Sequence, residues 1–353
     1  MKTREFSGWH ALLAIAALLA LTAQNTLLPL WQQMQVGMLQ WTQLNQLCAF
    51  TQWALPMLTA LTGSIFLLAT NTWNLRTLWT RIIPIAVLGC IFWWSACAVI
   101  YLQQYYPNEM DLQTFSQCLG MVLTEPGNIG YSQMLVSMFM LYPLLRRIVQ
   151  KREVLGYCLL VLFLVNLLLP LLKHIPTVSV AALFFNQLNW GFFRTWAFYL
   201  LLGAYLTKYP PQWPVRLAVY CAGIISTGLS IALTSWLTKT APGYCADYIG
   251  MHAPLTALQT AAIFLLASQL LRRTKLLRLR RSLSGLWMCV PVAAVIHSLT
   301  SRFLPAYSGF VLPYVMRHAL TDSLLTMLLI AALNALPGFR FLVGYHPAKG
   351  ESR

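Results

Sequence analysis

The sequence predicts an all-α, polytopic membrane protein with about ten transmembrane helices and both termini in the cytoplasm. Three observations carry that prediction. Hydrophobic residues make up 58% of the 353 and charged residues only 9%, against roughly 25% charge in a soluble domain. Apolar segments of about 20 residues, enough to cross a bilayer, recur along the whole chain. Basic residues crowd into alternate gaps between those segments, as the positive-inside rule requires. The composition excludes a disordered chain, an ordinary cytosolic enzyme and a disulfide-rich secreted fold.

The segments lie at about 10–30, 47–70, 83–103, 131–148, 154–172, 190–207, 216–236, 251–271, 284–303 and 319–337. The first follows a short polar stretch and reads as a retained signal anchor, because nine more spans come after it and Leu27 to Trp31 extend it. With the N-terminus inside, all but five of the 24 Lys and Arg fall in cytoplasmic segments. The five exceptions are Lys173, Arg194, Lys239, Arg302 and Arg317. Removing any one span would invert every later loop and spoil this asymmetry. The net charge of +16 therefore reads as topology signals between spans and not as a nucleic-acid patch. The whole chain, 1–353, reads as one integral membrane domain ending in a basic cytoplasmic tail at about 338–353.

The outer loops are expected at about 32–46, 104–130, 173–189, 237–250 and 304–318. The loop at 104–130 carries Glu109, Asp111 and Glu125 and no Lys or Arg. Of eight cysteines, only Cys118 and Cys245 fall in these loops, where an oxidising compartment would let them form a disulfide. The other six lie in spans as small apolar residues. No Cys/His zinc spacing is visible, so no metal site is expected. No internal repeat marks a transporter of the inverted-repeat kind.

Ionisable and amide groups at membrane depth are costly, which makes them candidates for function. They are His10, Gln24 with Asn25, Arg81, Arg194, His252, His297, His318 and Asp322. His318 and Asp322 stand one helical turn apart and could pair along one helix. Pro56, Gly63, Pro84, Pro143, Pro170, Pro254 and Pro291 are helix breakers within spans, and broken helices line protein or cavity rather than lipid.

Taken in order, several segments resemble the acyltransferase-3 family, ten-span bacterial membrane proteins that O-acylate surface glycans. The likeness is to the group around the enterobacterial common antigen O-acetyltransferases. The segments are FTQWALPMLTALTGSIFLL from Phe50, LRTLWTRIIPIAVLGCIFWW from Leu75, MLVSMFMLYPLLRR from Met134 and FYLLLGAYLTK from Phe198, with Gly285-Leu286-Trp287 further on. They resemble the family's second span, its basic loop before span three, its Leu-Tyr-x-x-Pro-Leu-Arg-Arg end and its Phe-Leu-Leu-Gly span. The chain departs from the family at its histidines. Leu13 and Gln24 stand where the family has an Arg–His pair, Tyr131-Ser132-Gln133 replaces a span opening with His, and the late Gly-Ile-Tyr-Leu-x-His element ends here at Val290.

The resemblance implies an O-acyltransferase moving an acyl group, such as acetyl, from cytoplasmic acyl-CoA to a hydroxyl of an envelope glycan or lipid-linked sugar. It implies an inner-membrane location, acyl-CoA as co-substrate and no bound cofactor. Such transfer needs a base, and Gln24 cannot take up a proton near neutral pH. His10, His297, His318 and Asp322 are the substitutes to weigh. Arg76 and Arg81 are the candidates for the acyl-CoA phosphates. Arg194, Trp190 and Trp196 are the candidates for the acceptor. Two alternatives stay open: a non-catalytic member serving as a carrier or partner subunit, and a small-molecule transporter.

Overall fold

A computed structural model describes residues 8–69, 74–106, 111–124, 126–174, 195–240, 248–271, 288–305, 307–336, 339 and 342. The described residues contain no strand. The helices are α1 (Gly8–Gln33), α2 (Leu39–Thr51), α3 (Ala54–Phe66), α4 (Leu75–Gln104), α5 (Leu112–Thr124) and α6 (Pro126–Gln150). They continue with α7 (Arg152–Leu171), α8 (Thr195–Lys208), α9 (Trp213–Thr240), α10 (Pro254–Leu270), α11 (Cys289–Phe303) and α12 (Val311–Ala335). Five of them, α1, α4, α7, α9 and α12, are long and apolar enough to cross a membrane, and α10 and α11 are shorter apolar helices. Every apolar segment read from the sequence contains helix. The architecture is that of an all-α membrane protein.

The helix breakers behave differently from expectation. Pro56, Pro254 and Pro291 sit in the first turns of α3, α10 and α11, and Pro84 follows a π-turn at Leu78–Ile82. A first-turn proline lacks an N–H that would have had no partner anyway, so it starts a helix without breaking one. Pro143 lies deep inside a long helix, α6. The break in the apolar segment at 47–70 falls at Gln52 and Trp53, between α2 and α3.

That break is held by polar side chains. Gln52 donates from Nε2 to Ser230 Oγ (3.1 Å), and its Oε1 accepts from Thr256 Oγ1 (2.8 Å) and the Gly250 N–H (3.3 Å). Gln259 donates to the Ala49 carbonyl and to Thr227 Oγ1, and Asn45 donates to the Ile231 carbonyl. The seam joins α2, α9 and α10. The α9 face in it is small and polar: Gly223, Ser226, Ser230, Thr234 and Thr238 are buried. Apolar faces gain little by leaving lipid for each other, so close approach and such bonds, each worth about 0.6 kcal/mol, hold helices together.

The tightest crossing is between α3 and α8. A Cβ on Gly63 would overlap the Leu200 carbonyl, and one on Gly203 would overlap the Ala60 carbonyl. The two helices touch backbone to backbone there. At one end of the bundle Lys208 Nζ donates to the Val149 and Gln150 carbonyls (2.9 and 3.2 Å), closing the C-terminus of α6 with a cation. At the other end Arg302, from the last turn of α11, donates to the Ile100 carbonyl of α4 (2.6 Å). Thus α4 and α11 run side by side and finish on the same side.

Three expectations change. The loop at 32–46 is half helix, because α2 starts at Leu39. Its Trp41 and Leu44 pack with Trp31 of α1 and Val311 and Val315 of α12. The loop at 104–130 holds α5, whose Cys118 is fully buried against Ala98 and Leu102 of α4. Its thiol is free, and Cys245, with which a disulfide is expected, lies outside the described residues. The C-terminal tail does not begin as solvated chain: Leu342 is buried, and its carbonyl accepts from Trp93 Nε1 (2.7 Å).

Two outcomes follow. Gly203→Leu or Gly63→Leu must push α3 and α8 apart and is expected to abolish monodisperse protein on gel filtration in detergent, whereas Gly156→Ala, in open space, leaves the profile unchanged. Asp111 Oδ1 accepts from the Thr114 N–H (2.6 Å) at the start of α5, and these Thr114 bonds hold its carboxyl below the ordinary value. A depressed folded pKa gives stability that is present above the unfolded value, about 3.9, and lost as pH falls through the folded one. Amide exchange, corrected for its intrinsic pH dependence, should therefore show the first turn of α5 losing protection below that range, and an Asp111→Ala variant should lack the step.

Candidate functional site

Of the two acidic residues inside the described apolar helices long enough to span, Glu153 is exposed in the first turn of α7 and Asp322 is completely buried. It lies eleven residues into α12, about 16 Å along the axis at 1.5 Å per residue. A lone carboxylate there would be very costly. Two neighbours on α11 accommodate it. His297 Nδ1 lies 2.7 Å from Oδ2, and Thr300 donates its hydroxyl to Oδ1 (2.5 Å). His297 and Thr300 are three residues apart, so one face of α11 presents both to the carboxylate.

Against an ionised Asp322, Nδ1 of His297 is the donor, and in a neutral ring Nε2 then holds the lone pair. The imidazole is 22% exposed while Asp322 is not exposed at all, so the ring has one side open and one side anchored. The arrangement is a nitrogen base oriented by a buried carboxylate, and the carboxylate is itself oriented by a hydroxyl.

His318 completes the group. It is 1% exposed, and neither of its ring nitrogens has a hydrogen-bond partner among the described residues. Its ring packs against Tyr314 (centroids 4.6 Å apart) and edge-on to His297 (5.8 Å). One donor atom each from His297, His318 and Asp322 lie within 4.8 Å of one another, a grouping able to hold a metal ion. The sequence reading paired His318 with Asp322 along α12. The carboxylate instead turns across to α11, where it finds both a ring N–H and a hydroxyl, and His318 lies against Tyr314. The expectation of no metal site rests on spacing along the chain, and spacing carries no sign of ligands brought together from two helices.

The remaining candidates stand apart. Gln24 is buried on α1, and no hydrogen bond joins it to the cluster. Its helix does touch α12 at that level, since Thr22 Oγ1 donates to the Ala319 carbonyl (3.1 Å). Leu13 is buried in the core. His10 is buried with its ring stacked on Trp9, centroids 3.7 Å apart. Arg76 and Arg81 are exposed at the start of α4. Trp196 is half-buried at the start of α8, and Trp190 and Arg194 lie outside the described residues. Thr300 was missed on sequence, and its one signal was a spacing of three from His297. Comparison with protein families, with curated proteins and with solved structures finds no match to this chain.

Removing His297 leaves Asp322 buried with Thr300 alone, and breaking a buried pair in this way costs about 3–5 kcal/mol. His297→Ala is expected to lower the melting temperature in detergent markedly. His297→Ala with Asp322→Ala removes the stranded charge and should recover part of the loss. A single variant that melts with the wild type would show that the pair holds nothing together.

Proposed function

We propose that the protein is a ten-span inner-membrane O-acyltransferase with both termini in the cytoplasm, and that His297 is its general base. It moves an acyl group, acetyl in the first instance, from cytoplasmic acyl-CoA to a hydroxyl of an envelope glycan or lipid-linked sugar. The observation that supports this most is the buried Asp322–His297 pair with Nε2 left free. Nε2 takes the proton of the acceptor hydroxyl as its oxygen forms a bond to the thioester carbonyl carbon. The carbon–sulfur bond then breaks, and the departing thiolate recovers that proton. Asp322 stabilises the imidazolium between the two transfers and stays ionised throughout.

The pair also answers the gap left by Leu13 and Gln24, where the resembling family carries its Arg–His pair. A base on α11 serves in place of one on α1. Arg302 ties the end of α11 to Ile100 of α4. By helical rise, His297 then stands about 21 Å beyond Arg81 along α4. Acyl-CoA phosphates on Arg76 and Arg81 would leave that span to the pantetheine arm, which is long and thin enough to fit between helices. A carrier or partner subunit without chemistry is the second reading, favoured by the loss of the family's histidines.

The test is transfer of labelled acetyl from acetyl-CoA to an envelope-glycan extract by the purified protein. His297→Ala is expected to lower the rate about 10²–10⁴-fold, the usual worth of a positioned base. Asp322→Asn should lower it too, by favouring the wrong tautomer, and His10→Ala should change little. Arg76→Ala with Arg81→Ala should raise KM for acetyl-CoA and spare kcat. Transfer that survives His297→Ala would remove it from the mechanism.

A further inference from the structure

His318 is the residue that the acyl-transfer reading leaves without a task. A buried imidazole has one donor and one acceptor nitrogen, and burial without partners for either is unfavourable. Its surroundings supply no hydrogen bond, yet a carboxylate and a second imidazole stand close by with donor atoms all within 4.8 Å. Two imidazoles and a carboxylate are a common donor set for Zn²⁺ and neighbouring divalent transition metals.

We infer that His297, His318 and Asp322 bind one divalent transition metal of the Zn²⁺ class, with three protein ligands and an open position on the exposed side of His297. Metal–ligand bonds of about 2.0–2.1 Å place tetrahedral donors about 3.3 Å apart. The donor atoms, now within 4.8 Å of one another, must draw together to reach that size. Asp322 is ready for the role: Thr300 holds Oδ1 and leaves Oδ2 to the cation. Ligating carboxylates are ordinarily held by such an outer hydrogen bond. A metal bound at His297 Nδ1 takes the place of the proton shared with Asp322, and that proton moves to Nε2.

The metal site rests on the donor atoms alone. Its consequence for activity rests on the acyl-transfer reading. A ring bound through Nε2 has no lone pair left for the acceptor, and a ring bound through Nδ1 carries its proton on Nε2. In either case His297 is no longer a base, so the metal-loaded protein is the inactive form.

The experiment uses full-length protein, freed of its tag and stripped of metal with a chelator. Zn²⁺ alone is titrated by calorimetry in two buffers of different ionisation enthalpy. One ion per chain is expected, with a heat that is the same in both buffers. Affinity should fall at least 100-fold in His318→Ala and in Asp322→Asn, fall about 10–100-fold in Thr300→Val, and hold in His252→Ala. Melting curves without metal identify variants that remain folded, and His318→Gln serves if His318→Ala does not. Equal affinity in wild type and a folded His318 variant, or no binding to the wild type, overturns the inference. Acetyl transfer with and without Zn²⁺ separates the two readings. Binding in a protein that never transfers keeps the site and removes the acyltransferase, whereas transfer in a protein that never binds does the reverse.

Discussion

The buried carboxylate of Asp322 is the constraint around which the α11–α12 half of the molecule is arranged. A charge with no exposed surface, eleven residues into a membrane-type helix, cannot be left to itself. It requires a donor on each oxygen, and His297 and Thr300 supply them from one face of α11. That fixes the register of α11 on α12, because a slip of one residue would remove both donors. α1 joins through Thr22, which donates to the Ala319 carbonyl beside the site, and α4 joins through the Arg302 bond to Ile100. In the proposed acyl transfer the same charge also orients a base, and in the proposed metal site it furnishes a ligand. Structural cost and chemical use therefore meet in one side chain.

The rest of the bundle is held by short range and small size. Gly63 and Gly203 let α3 and α8 meet at the backbone, and the Gly/Ser/Thr face of α9 lets Gln52 and Gln259 reach across. Neither device carries charge. The two halves thus use different physics: packing and neutral amide bonds in one, a compensated ion in the other. The second sets an imidazole with an accessible face against a fully buried carboxylate, which is why chemistry is sought there.

Hydropathy made the long apolar helices legible, because about 20 apolar residues in a row have few other uses. It missed α2, whose Gln40, Gln43, Asn45 and Gln46 lower the local average although Trp41, Leu44 and Cys48 are buried. It placed the last span eight residues late, because Arg317 and His318 resemble a loop when read alone. In the structure Arg317 lies over Tyr314 and donates to the Pro305 carbonyl (2.9 Å), which admits it to the helix. The site was half legible. Ionisable groups in spans singled out His297, His318 and Asp322, but the only pairing a sequence offers is the local one. The partner that matters is 25 residues away on another helix, and no spacing rule reaches it.

The most direct test of the central claim is a rate cycle on acetyl transfer with His297→Gln, Asp322→Asn and the double variant. Residues that act as a unit are strongly non-additive. If Asp322 acts only through His297, the double variant transfers as fast as His297→Gln alone. If the two losses multiply in full, Asp322 acts independently of His297, and the oriented base is not how this protein works.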